Sequence, residues 1–157
     1  MKLKLLILSG VSFMYCMAME QRELPRSKSE LNKEFQDIYR TSFDSYREQF
    51  AKKLLNAGAD INSLNNMGYT PLMLAVMNGN VNFVKFLLKN GANVNFNTGR
   101  NSALTLAIRI PSIIEKELVQ LLVDNGADLN VKIQGETPLE LAKRLGRNQI
   151  AHVIENR

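Results

Sequence analysis

A seven-residue block recurs three times in this chain, and recurrence at a near-constant spacing restricts the fold more than any other feature of it. Asn56-Ala57-Gly58-Ala59-Asp60-Ile61-Asn62, Lys89-Asn90-Gly91-Ala92-Asn93-Val94-Asn95 and Asp124-Asn125-Gly126-Ala127-Asp128-Leu129-Asn130 align, with glycines 33 and 35 residues apart. Between them lies a second recurrent block: Thr70-Pro71-Leu72-Met73-Leu74-Ala75, Ser102-Ala103-Leu104-Thr105-Leu106-Ala107 and Thr137-Pro138-Leu139-Glu140-Leu141-Ala142. An apolar run precedes each glycine, with leucine pairs at 54/55, 87/88 and 121/122.

Each block has a physical reading. Thr70 and Thr137 suit an N-cap, and Pro71 and Pro138 then occupy the first helical position, where no N–H is missed. Leu72, Ala75 and Val76 continue at helical spacing until Asn78-Gly79-Asn80 breaks the run. A second helix carries Val81, Val84, Leu87 and Leu88 on one face, and Gly91 supplies the left-handed stop. The unit is helix, turn, helix, then a projecting loop, and the leucine pairs are its expected core. Ser102-Ala103 is expected to start its helix more weakly than Thr-Pro. The turn that follows, Ile110–Lys116, is two residues longer than its counterpart, and Pro111 is expected to break the helix there.

This 33-residue unit resembles the ankyrin repeat over about residues 31–157, most clearly over 65–95. The resemblance implies an all-α repeat solenoid with β-hairpin-like fingers and about four units, 31–64, 65–96, 97–131 and 132–157. The outer two units are expected to be caps with polar faces, the first a helix pair over Leu31–Tyr39 and Ser45–Leu55. The histidine that the family carries after Thr-Pro-Leu is replaced by Met73, Thr105 and Glu140, which is expected to remove a local hydrogen-bonding partner.

The first residues read differently. Lys2 and Lys4 precede an apolar stretch from Leu5 to Met17, with Ala18 at a cleavage position, so residues 1–18 are expected to be a secretory signal peptide. The stretch is shorter than the roughly 20 residues of a membrane span. Residues 19–30 then form a polar linker. The reading is therefore an exported protein, periplasmic or secreted, with no membrane span in the mature chain. Together with many asparagines, lysines and isoleucines, it resembles the exported ankyrin proteins of host-associated bacteria, which makes a host protein the expected target.

Composition argues against chemistry. One histidine, His152, and one cysteine, Cys16, leave no metal-ligand or nucleophile constellation, and no Walker-type loop or His-Glu-x-x-His is present. Glu115 and Glu117 are expected on a solvated turn, and Asp60 and Asp128 are expected to shape turns. The chain is read as no enzyme, with no cofactor and no metal. The net charge is +5, and without Lys2 and Lys4 of the expected signal segment it falls to +3 (18 basic less 15 acidic), too mild to argue for nucleic acid. Glu115, Glu117 and Glu136 also interleave with Arg100, Arg109, Arg144 and Arg147.

The ankyrin resemblance implies a monomeric protein-interaction module that binds a partner protein through finger tips and the concave face of the first helices. Carried over by position, the tips are Asn66, Met67 and Tyr69, then Phe96, Thr98, Arg100 and Asn101, then Ile133, Gln134 and Glu136. The helix positions are Met77 and Asn78, Arg109 and Ile110, and Arg144 and Leu145. Ile133 and Leu145 are expected to fold back onto their neighbours. Tyr69, Phe96 and Arg109 are expected to carry most of the affinity. The alternative is a structural or self-associating envelope scaffold.

Overall fold

Each Thr-Pro or Ser-Ala block opens a short helix and each glycine block closes a longer one. The computed structural model describes residues 27–38, 44–110 and 114–157, so residues 1–18, most of the expected linker, Tyr39 and Pro111 lie outside the described residues. The described helices are α1 (Lys28–Asp37), α2 (Asp44–Asn56), α3 (Pro71–Met77), α4 (Val81–Lys89), α5 (Ala103–Arg109), α6 (Glu115–Asp124), α7 (Pro138–Arg144) and α8 (Asn148–Glu155). Helices pack in pairs, α1 with α2, α3 with α4, α5 with α6 and α7 with α8. First helices stack in the order α1, α3, α5, α7, and second helices in the order α2, α4, α6, α8. The architecture is an all-α stack of about four ankyrin-like units.

The starts of the short helices are capped as their residues dictate. Thr70 Oγ1 accepts from the Met73 N–H at 3.2 Å. Ser102 departs from the expected weakness. Its Oγ accepts from the Thr105 N–H at 3.2 Å, and Thr105 Oγ1 accepts from the Ser102 N–H at 3.0 Å. Thr137 and Glu140 make the same reciprocal pair, at 3.3 and 2.8 Å. Thr105 and Glu140 thus supply local hydrogen bonds of their own where the family's histidine is missing, closing capping boxes.

The stops follow one geometry. Gly91 sits at φ +90°, its N–H donating to the Leu88 carbonyl and the next N–H, of Ala92, to the Leu87 carbonyl, at 3.1 and 3.0 Å. An L side chain strains in that region, which is why the position is glycine. The same pair of bonds closes α2 at Gly58 and α6 at Gly126.

The core runs through the stack. Leu54, Leu87 and Leu122, four residues before each glycine, are fully buried. The residues that follow them, Leu55, Leu88 and Val123, are half-buried. The equivalent pair in the third unit is therefore 122/123 rather than 121/122, because distance from the stop sets the helical face. Phe83 and Phe86 stack at 5.6 Å between α2 and the rest of the core, with the Arg47 guanidinium over Phe83 and the Lys52 ammonium over Phe86.

Three expectations change. Helix α1 begins at Lys28, inside the segment read as linker, because Ser27 and Glu30 form a capping box. The fingers are reduced to single β-bridges, Asn97 to Ser102 and Ile133 to Glu136. Glu115 is not on a solvated turn: it is the first residue of α6 and only 7% exposed, facing Arg147 at 3.5 Å.

Candidate protein-interaction surface

The fingers are tied to one another by asparagines. Asp60 and Asp128 shape their turns as expected, accepting from the Asn62 and Asn130 N–H at 2.9 and 2.8 Å. Asn62 Oδ1 accepts from the Asn93 N–H at 2.8 Å, and Asn95 Oδ1 from the Asp128 N–H at 2.7 Å. At the start of the stack, Asn32 of α1 accepts from the Asp60 N–H at 2.7 Å. Helix α1 thereby gives the first finger the contact that a preceding finger would give. Gln36 adds a bond to Ser63 at 3.1 Å. A groove of about 590 Å³ runs between α1 and the first finger, lined by Asn32, Lys33, Gln36, Asp60, Ser63 and Asn66 among others. Sequence reading missed both features, although the asparagine ending each glycine block was a visible signal for the first.

In the first finger, Asn66 is exposed and Met67 is 71% exposed. Tyr69 instead packs half-buried against the core, while Asn65 ties the loop by accepting from the Met67 and Tyr69 N–H groups. Met77 ends α3 and is exposed. Asn78 is engaged as a cap, its side chain donating to the Leu74 carbonyl at 2.7 Å.

The second finger is closed by Thr98, whose N–H donates to the Asn101 carbonyl at 3.1 Å. Arg100 is exposed at its tip. Phe96 and Ile110 pack half-buried against the core. Tyr69 and Phe96 are held this way, whereas Arg109, the third residue expected to carry the affinity, reaches two fingers with its guanidinium. Its Nη1 donates to Asn101 Oδ1 at 3.1 Å and its Nη2 to Gln134 Oε1 at 3.3 Å, joining the second finger to the third.

In the third finger, Ile133 folds back and is buried, as expected, while Leu145 remains exposed. Gln134 is exposed at φ +55°, followed by Gly135 at +85°. Glu136 accepts both Arg144 donors, Nε at 2.6 Å and Nη2 at 2.8 Å. That bidentate pair holds the Glu136 carboxyl below its ordinary pKa range, with the Arg109 charge adding in the same direction. Asn101, Arg109 and Gln134 are thus one bonded group, Glu136 and Arg144 another, and both stand on the finger side of the stack.

Among the described residues, no group of three or more His, Cys, Asp or Glu side chains could hold a metal ion, and no helix is long and apolar enough to cross a membrane. His152 is exposed and bonded to Asn156 one turn on.

The family described as ankyrin repeats, in three copies, matches residues 42–133, more than half of the chain. Relatives named ankyrin repeat, SAM and basic leucine zipper domain-containing protein 1 also match. The protein of Echinops telfairi is 34% identical over 117 residues, 73% of this chain and 24% of the relative. That of Rhinolophus ferrumequinum is 37% identical over 102 residues, covering 63% and 21%. That of Microcebus murinus is 31% identical over 138 residues, covering 86% and 28%. The chain spans about a quarter of the length of these relatives.

They overturn the likeness to exported ankyrin proteins of host-associated bacteria, and with it the signal segment and the periplasmic or secreted location. The relatives are animal proteins whose names set ankyrin repeats beside SAM and basic leucine zipper domains. The export reading rested on residue composition at the N-terminus, where short charged and apolar runs arise without export. The match rests on a patterned sequence over most of the chain.

Proposed function

We propose that this chain, which belongs to the ankyrin-repeat family, binds a partner protein through its finger tips and the concave side of its first helices. The family's fold is a non-catalytic scaffold that generally mediates protein–protein interaction. One observation carries the choice of face. The exposed large apolar side chains among the described residues are Leu64, Met67, Met77 and Leu145. All four belong to the first finger or to the ends of the first helices, and none to the second-helix side. Methionine, leucine and arginine exposed together on one face are what a partner would cover.

In this reading Asn66, Met67, Met77, Arg100, Asn101, Arg109, Gln134, Glu136 and Arg144 form the contact surface. Tyr69, Asn78, Phe96, Thr98 and Ile110 hold it in shape. The module acts as a monomer and takes no nucleic acid. The test is site-specific photo-crosslinking in extract of the source organism, with the probe at Met67 or Arg100, or at Lys89 or Lys116 on the second-helix side. Protein adducts from the first two positions and none from the last two are expected. The reverse pattern would overturn the proposal.

A further inference from the structure

The Arg109 guanidinium spends two of its N–H groups on neutral amides, Asn101 Oδ1 and Gln134 Oε1, and makes no direct ion pair, acting on Glu136 only at longer range. The carboxylates nearest in the third finger are already committed. Glu136 gives both oxygens to Arg144, and Glu140 caps α7 through the Thr137 N–H and hydroxyl. Arg100, beside Asn101, and Lys132, beside Ile133, are exposed as well. Among the described residues Arg100, Arg109 and Lys132 make no direct ion pair; Arg109 acts on Glu136 and Lys132 on Glu140 at longer range, and with Arg144 the face carries four cations against those two carboxylates.

A second observation falls on the same group. Gln134 is the non-glycine residue that the described backbone holds at positive φ, at +55°. With Gly135 at +85° between the bridged Ile133 and Glu136, positive φ at both central residues is what a two-residue hairpin turn requires, so the turn sets the backbone and the side chain at its tip is free to reach Arg109. Here the side chain fixes Arg109 between two fingers.

Resting on the interaction reading above, we propose that the face between the second and third fingers receives an acidic peptide segment of a partner protein, with Arg109 as the central carboxylate receptor and Arg100 and Lys132 flanking it. A guanidinium held in plane by two amides loses little freedom when a carboxylate takes its remaining donors. A peptide fits better than a nucleic acid. Arg100, Arg109 and Lys132 stand among Glu136 and Glu140 rather than forming a continuous basic stripe that tracks a backbone, and Phe96 packs half-buried against the core instead of offering a stacking platform.

The experiment is fluorescence anisotropy with the full chain and three labelled probes: a decapeptide of alternating Glu and Ala, its Gln counterpart, and a short thymidine oligonucleotide. The Glu peptide is expected to bind, with salt weakening it, and the Gln peptide is not. Arg109→Gln should weaken binding roughly tenfold or more, the loss of a charge-assisted contact. Arg100→Gln with Lys132→Gln alters only exposed side chains, keeps the melting temperature, and should also weaken binding. Gln134→Gly should raise the melting temperature yet weaken binding, since it relieves the backbone and frees Arg109. Equal binding of the Glu and Gln peptides, tighter binding of the oligonucleotide, or Glu-peptide binding untouched by the Arg100/Lys132 pair would each overturn the proposal. If the Glu peptide fails while Met67 and Arg100 still crosslink a protein, the acidic-segment proposal falls alone. Failure of the crosslinks removes the interaction face itself.

Discussion

Asn95 accepts a hydrogen bond from the Asp128 N–H at 2.7 Å and donates its own side-chain N–H to the Gly126 carbonyl at 2.9 Å. One side chain thus bonds both backbone polarities of the next unit's loop, 31 and 33 residues away. Asn62 and Asn32 make the corresponding acceptor contact one and two steps earlier, taking the Asn93 and Asp60 N–H. The stack is joined along its loops as well as through its core.

Asn95→Ala should therefore cost about 1–2 kcal/mol, the net worth of two hydrogen bonds. Asn66→Ala, at an exposed tip, should stay within about 0.5 kcal/mol. Urea denaturation of both variants checks this, and equal midpoints would refute a role for the ladder.

Leu87 and Leu88 look alike in sequence, but Leu87 is fully buried and Leu88 half-buried. Leu87→Ala should cost about 2–5 kcal/mol, by lost transfer energy and a residual cavity. Leu88→Ala should cost clearly less. A thermal melt of each variant decides it.

Gly79 and Gly146 close the first helices of their units at nearly the same φ, +67° and +68°. A Cβ at Gly79 would come within 2.6 Å of Ile114 Cδ1, whereas one at Gly146 meets nothing within 4 Å. Both alanine variants bear the strain of positive φ, so their difference isolates the contact. Gly79→Ala should be the less stable by about 1 kcal/mol, the size of a local overpacking penalty. Matching denaturation midpoints would show that the Ile114 side chain simply turns aside.

Burial pushes the Glu115 carboxyl above its ordinary pKa of 4.5, with the Arg147 charge opposing. A carboxyl whose folded pKa is raised favours the fold most below 4.5, and that contribution is lost as pH rises through the folded value. Glu140 behaves oppositely. Its bonds from the Thr137 N–H and hydroxyl lower its pKa, so its contribution is present above 4.5 and lost as pH falls through the folded value. Relative to the parent, Glu115→Gln should gain stability as pH rises from about 4 to 7, and Glu140→Gln should lose it as pH rises from about 3 to 5. Urea midpoints across that range read both slopes.

Much of the fold was legible because caps and stops are local chemistry. Thr70-Pro71 and Thr137-Pro138 mark helix starts by their own hydroxyls and rings. Gly58, Gly91 and Gly126 mark helix stops by the backbone they permit. The interaction face was legible only in outline. Tyr69 and Phe96 read as exposed tips because their loops project, yet both rings turn inward. Burial of an aromatic depends on what the neighbouring unit offers, and no residue beside it in sequence carries that information. The N-terminus was misread for the converse reason: a charged and apolar run has composition but no pattern that ties it to a fold.

The sequence by itself determined the unit, its period and the places where each helix begins and ends, because those follow from interactions within a few residues. Only the tertiary structure decided which of two adjacent leucines fills the core and why Glu115 is buried against Arg147. It alone brought Arg109 between Asn101 and Gln134. Those outcomes depend on groups 8 to 32 residues apart that meet only when the units stack. Their energies come from burial and paired charge across that contact, which no local signal encodes.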